Sequence, residues 1–136
     1  MSTFDIFTVA GSGMSAQSVR LNTVASNLAN AESVSTDPSQ VYRAKHPVFQ
    51  AATQTSGNQA STAVNVLGIT ESTAAPDSRY DPGNPLANAD GYVYSPNVNV
   101  VEEMADMISA SRSYQNNVEV MNTTKSLLLK TLQMGQ

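Results

Sequence analysis

The sequence predicts a mainly α chain, with two long terminal helices and a small irregular or β middle segment. Three observations predict it. Phe7, Ala10, Met14, Gln17, Leu21, Val24, Leu28 and Ala31 recur at alternating spacings of three and four, and all but Gln17 are apolar. Val100, Met104, Met107, Ser111, Tyr114, Val118, Met121, Lys125, Leu128 and Leu132 repeat that spacing, with Ser111 and Lys125 as the polar exceptions. Between these two heptad seams, turn residues punctuate the chain and large apolar residues are scarce.

The first seam predicts a helix over about residues 3 to 31, roughly 42 Å long at 1.5 Å per residue. Ser2 or Thr3 starts it, and Asp5 complements the positive end of its dipole. Gly11 and Gly13 each cost about 1 kcal/mol relative to alanine, so this end is expected to fray unless neighbours pack on it. From Ile6 to Ala31 the only charge is Arg20. A solvated helix face normally carries Glu and Lys, so a face of Ser, Ala, Thr, Gly, Asn and Gln is one built for neighbours on all sides.

Residues 33–98 read as loop and short strands. Ser35-Thr36-Asp37-Pro38 is a turn, Val41 to Gln50 is strand-like, and Ala51 to Ala63 is an uncharged, low-complexity stretch expected to be mobile. Val64, Val66 and Ile69 suggest a strand interrupted by Gly68. Asp81-Pro82-Gly83-Asn84-Pro85 is a strong turn cluster, followed by a Gly91-Tyr92-Val93-Tyr94 strand that stops at Pro96. The second helix follows, with Asn99 as N-cap, Glu102 at the third helical position, and Gly135 able to end it. The organisation is therefore residues 1–32 and 99–136 as the helices of a core domain, with 33–98 between them.

Only 13% of the 136 residues are charged, with a net charge of −4, whereas Ser, Thr, Asn and Gln together number 49. The surface is polar but uncharged. Seven Lys plus Arg against eleven Asp plus Glu leave no basic face, which removes the main driving force for binding nucleic acid. No stretch supplies the roughly 20 apolar residues of a membrane span, so bilayer insertion is not expected either. The absence of cysteine excludes disulfides and thiolate chemistry. The N-terminus has no Lys or Arg before Arg20 and no apolar run of signal-peptide length, so export without a cleavable signal is expected.

The usual catalytic arrangements fail one by one. His46 is the only histidine and lies beside Pro47, with no nucleophile elbow for it to serve. Aligning Gly91 to the glycine of a calcium loop puts Leu86 and Asn97 where carboxylates belong. Glu102, Glu103 and Asp106 sit at a helix start, where the dipole explains them. Gly11-Ser12-Gly13 has no P-loop lysine. No catalytic residue, metal site or cofactor is expected.

Ala25-Ser26-Asn27-Leu28-Ala29-Asn30-Ala31 resembles the Asn-Leu-Ala-Asn signature of the rod and hook proteins of the bacterial flagellum. Asp81-Pro82-Gly83-Asn84-Pro85, Gly91-Tyr92-Val93, Pro96-Asn97-Val98-Asn99-Val100, Ser111-Arg112-Ser113-Tyr114-Gln115 and Asn117-Val118-Glu119-Val120 resemble the proximal-rod members of that axial family, as does Tyr42-Arg43 after a long spacer. The resemblance implies a structural subunit of the basal-body rod, which spans the periplasm and carries torque. It implies terminal helices paired as an antiparallel coiled coil, packed around an export channel and covered by an outer layer from the middle segment. It further implies self-association, the other proximal and distal rod proteins, a rod-to-ring adaptor, inner-membrane ring components and the type III export apparatus as partners. The expected assembly residues are Phe7, Met14, Leu21, Val24, Asn27, Leu28 and Asn30 on the first helix. On the second they are Arg112, Tyr114, Gln115, Val118, Met121, Leu128 and Leu132. The rival from another class is a small coiled-coil adaptor that binds one partner without polymerising.

Overall fold

A computed structural model describes residues 3–56 and 59–135; Ser2 and the Gly57-Asn58 pair lie outside the described residues. The elements in chain order are α1 (Thr3–Asn30), β1 (Lys45–Ser56), β2 (Gln59–Glu71), β3 (Asp77–Tyr80), β4 (Tyr92–Ser95) and α2 (Val100–Met134). The fold is thus two long helices with a small β middle segment. Among the described residues, no helix is long and apolar enough to cross a membrane.

Side chains take over the backbone bonding at the start of α2 and at the end of α1. Asn99 Oδ1 accepts from Val101 N at 3.1 Å and Glu102 N at 3.3 Å, closing the start of α2. At its far end Gly135 N donates to Leu132 O at 3.3 Å. The last turn of α1 is closed by Asn30, whose Nδ2 donates to Ser26 O at 2.8 Å while Ser33 donates to Asn30 O through both N and Oγ.

The buried stripe of α2 corrects the seam read from the sequence by half. Met107, Tyr114, Met121 and Leu128 lie in it, but the alternate positions are Glu103, Ala110, Asn117 and Thr124, one residue before the predicted Met104, Ser111, Val118 and Lys125. The two choices differ by about 100° around the helix, and Ala110 is fully buried while Met104 is exposed. Two of the four inward residues are small, Ala110 and Thr124, and the other two, Glu103 and Asn117, are polar, so a search for large apolar residues passes over all four. Val100 and Leu132 at the ends of the predicted seam are also exposed.

The middle segment holds more strand than expected. Of the stretch 51–63, expected to be mobile, the described residues 51–56 and 59–63 belong to β1 and β2, which pair and run 12 and 13 residues, β2 passing through Gly68 without interruption. Backbone pairing needs no particular side chain, so composition gave no warning. β3 was not anticipated: all four of its residues are exposed, so it lacks the alternation that marks a half-buried strand. It pairs antiparallel with β4, Tyr80 opposite Tyr92 and Asp77 opposite Ser95, and Tyr80 meets Tyr92 edge-on at 5.3 Å. Gly91 precedes β4 at φ 82°, and a Cβ there would lie 2.8 Å from the Tyr80 ring, so both conformation and space demand glycine.

The chain divides into two compact units. The first comprises the described residues of 1–21, 47–68 and 108–136. Its buried side chains are small: Ala10, Ala16, Ala63, Ala110 and Thr124. Ser12 Oγ donates to Val9 O at 2.8 Å and accepts from Val64 N at 3.1 Å, fastening β2 to α1. The second comprises 22–46 and 69–107 and buries Val24, Val41, Ala44 and Val93 around Asn27. A lone bridge, with Ser35 N to Tyr94 O at 2.9 Å and Tyr94 N to Ser35 O at 3.0 Å, ties the post-helix loop to β4.

That loop contains one perturbed acid. The backbone N–H of Ser39 bonds Asp37 Oδ1 at 2.8 Å and, with help from the Ser39 side chain, holds the Asp37 carboxyl below its ordinary 3.8. A depressed carboxylate contributes to loop order above its unfolded value and loses that contribution as pH falls through the folded value. The Ser39 amide resonance is expected to titrate with a midpoint under 3.8; a midpoint at or above it would mean the bond is not formed.

Candidate assembly interface

The polar centre of the second unit is Asn27, which is 0% exposed. Its Nδ2 donates to Lys45 O at 2.9 Å and to Glu103 Oε1 at 2.9 Å. Its Oδ1 accepts from Lys45 N at 2.8 Å and Tyr42 OH at 2.9 Å. Two donors and two lone pairs are all an asparagine amide offers, and all four are used. Tyr42 OH also meets Ser26 Oγ at 2.9 Å, and Lys45 Nζ stands 5.7 Å over the Tyr42 ring. One side chain therefore fixes the end of α1, the start of β1 and the first turn of α2. Glu103 is 7% exposed; its Oε1 is bonded by Asn27, while Oε2 is closed to solvent and has no partner.

The two asparagines of the Asn-Leu-Ala-Asn motif therefore do different work. Asn27 organises the loop backbone and α2, whereas Asn30 bonds within its own helix end. In the first unit α1 comes close to Asn117 at Gly13, where a Cβ would lie 2.8 Å from Asn117 Nδ2.

The remaining predicted assembly residues sort by exposure. Val24 is buried; Phe7, Met14, Leu21, Leu28, Tyr114, Val118, Met121 and Leu128 are half-buried; Arg112, Gln115 and Leu132 are exposed. Glu32 and Glu119, the carboxylates considered for Arg112, are exposed as well. Sequence reasoning missed Glu103, Lys45, Ser12 and Asn117. For Glu103 the available signal was a carboxylate on the inward side of a helix, which the dipole argument had already absorbed.

The outward side of α1 carries its own pattern. Thr8, Ser15, Ser18, Asn22, Ala25 and Ala29 are exposed, and with Gly11 they repeat the alternating spacing of three and four. No residue of this stripe is charged or large. On α2 the exposed face begins with large apolar groups, Val101 at 76% exposure with Met104 and Ile108 beside it, and ends with Leu127, Leu129, Leu132 and Met134. The single chain thus presents an uncharged small-residue stripe on α1 and exposed apolar side chains towards both ends of α2.

The class to which these two long helices and the β segment between them belong is given by comparison with known proteins, which puts the chain among the axial rod proteins of the flagellum. Residues 7–34 match the family model described as flagella basal body rod protein, and residues 89–134 match flagellar basal body rod FlgEFG protein C-terminal. The chain is 57% identical to the flagellar basal-body rod protein FlgC of Yersinia enterocolitica and 54% identical to that of Salmonella typhimurium, in each case over all of both chains. It is 40% identical to FlgC of Bacillus subtilis, again across the whole of each chain. The chain belongs to the FlgC family of flagellar basal-body rod proteins. It is a structural subunit of the rod and not an enzyme.

Proposed function

We propose that the chain polymerises with itself and with the other proximal and distal rod proteins into the torque-transmitting shaft around the export channel. In this reading residues 1–32 and 99–136 form the channel-side layer and 33–98 the outer layer. The subunit arrives through the flagellar type III export apparatus, and its neighbours below include the rod-to-ring adaptor and inner-membrane ring components. The observation that carries the proposal is the uncharged, heptad-spaced outer stripe of α1, which has no use on a solvated monomer.

Within the subunit, the helices pair antiparallel. Gly13 lies against Asn117 and Asn27 bonds Glu103, contacts fourteen residues apart on each helix in opposite chain directions, which supports that register. The half-buried Phe7, Met14, Leu21 and Leu28, with the buried Val24, form the α1 side of the seam; Tyr114, Met121 and Leu128, with the half-buried Val118 on its flank, form the α2 side. Leu132, with Arg112 and Gln115, stays outside in the single chain and is assigned to contacts between subunits.

The test is motility with export monitored. Leu21→Asp and Val118→Asp are each expected to abolish swimming while the subunit is still secreted, because a carboxylate forced into an apolar seam costs several kcal/mol. Wild-type swimming by both variants would remove the seam. Arg112 gives an independent reading of the outer face: a planar guanidinium bridging to a carboxylate of another subunit is not replaced by lysine. Arg112→Lys is expected to reduce basal-body incorporation with expression and secretion unchanged; normal incorporation of both Arg112→Lys and Arg112→Ala would make it a solvated charge.

A further inference from the structure

We draw no further inference here: the strongest candidate, the cavity of about 280 Å³ in the second unit lined by His46, Asn97, Asn99, Glu102, Glu103 and Asp106, is an acidic cluster at a helix N-terminus whose one unpaired oxygen, Glu103 Oε2, is closed to solvent, so nothing at that oxygen shows what would bind there.

Discussion

Asn27→Asp is expected to abolish rod incorporation, and Glu103→Gln in the same chain to restore part of it. The substitution is nearly isosteric, so packing around position 27 is unchanged and the effect is electrostatic. It removes both donors of the amide, leaving Lys45 O and Glu103 Oε1 facing a second carboxylate in a site closed to water. Losing two buried hydrogen bonds costs about 2–6 kcal/mol, and two like charges in contact add to it. That is a large share of the 5–15 kcal/mol typical of a whole domain. Glu103→Gln supplies an amide that can donate to the introduced carboxylate, so the pair regains one bond with its polarity reversed. Alone, Glu103→Gln is expected to be mild, because Gln Oε1 still accepts from Asn27 and the orphan oxygen becomes an orphan amide. Basal-body fractions and swimming zones of the two single variants and the double variant decide it. A double variant no better than Asn27→Asp would mean that the Asn27 to Glu103 bond is not the determinant and that the Lys45 and Tyr42 bonds dominate.

This four-bonded asparagine also shows how far a sequence can be read. The heptad spacing located both helices to within a residue at each end, since a period of 3.5 over about eight turns is a strong signal. Half of the α2 seam was misplaced by one position because the pattern sought large apolar residues, whereas Ala110 and Thr124 point inward on account of their size. Asn27 was singled out by its motif and by its weak helix propensity, but its partners Tyr42, Lys45 and Glu103 lie 15, 18 and 76 residues away, and no local rule specifies such contacts. The parts of β1 and β2 beyond Gln50 and before Val64 were obscured for a related reason. Their order comes from backbone pairing along a ribbon whose Ala, Thr, Gln and Ser side chains carry little alternation. What was legible is periodic and local; what was not is polar and distant.

Gly11 and Gly13 stand two residues apart on α1, and their replacement by alanine is expected to have opposite signs. In an exposed helix interior, glycine to alanine gains about 1 kcal/mol through reduced backbone entropy in the unfolded chain. At Gly11 a Cβ meets nothing within 4 Å, so Gly11→Ala is expected to show that gain as added helicity and protease resistance of the free subunit. At Gly13 the Cβ would stand 2.8 Å from Asn117 Nδ2, closer than a Cβ approaches another atom, and 3.3 Å from its Cγ, a tight contact. The clashing atom is the end of a flexible side chain, so the Asn117 amide swings away and gives up its place against α1, at a cost near the low end of the about 1–3 kcal/mol of overpacking. Gly13→Ala is therefore expected to lower helicity and slow motility, and Asn117→Ala to rescue it by removing the clashing amide. A second substitution separates the subunit from the rod. Gly11 belongs to the outer stripe of Thr8, Ser15, Ser18, Asn22, Ala25 and Ala29 and has open space at the Cβ position, so the larger side chain of Gly11→Leu projects from that stripe into the seam that the proposal gives to a neighbour. It is expected to raise helicity about as Gly11→Ala does, to leave secretion unaffected and to stop rod assembly. Gly11→Leu cells that swim normally would show that the outer stripe faces water in the basal body, and the uncharged face of α1 would need another explanation.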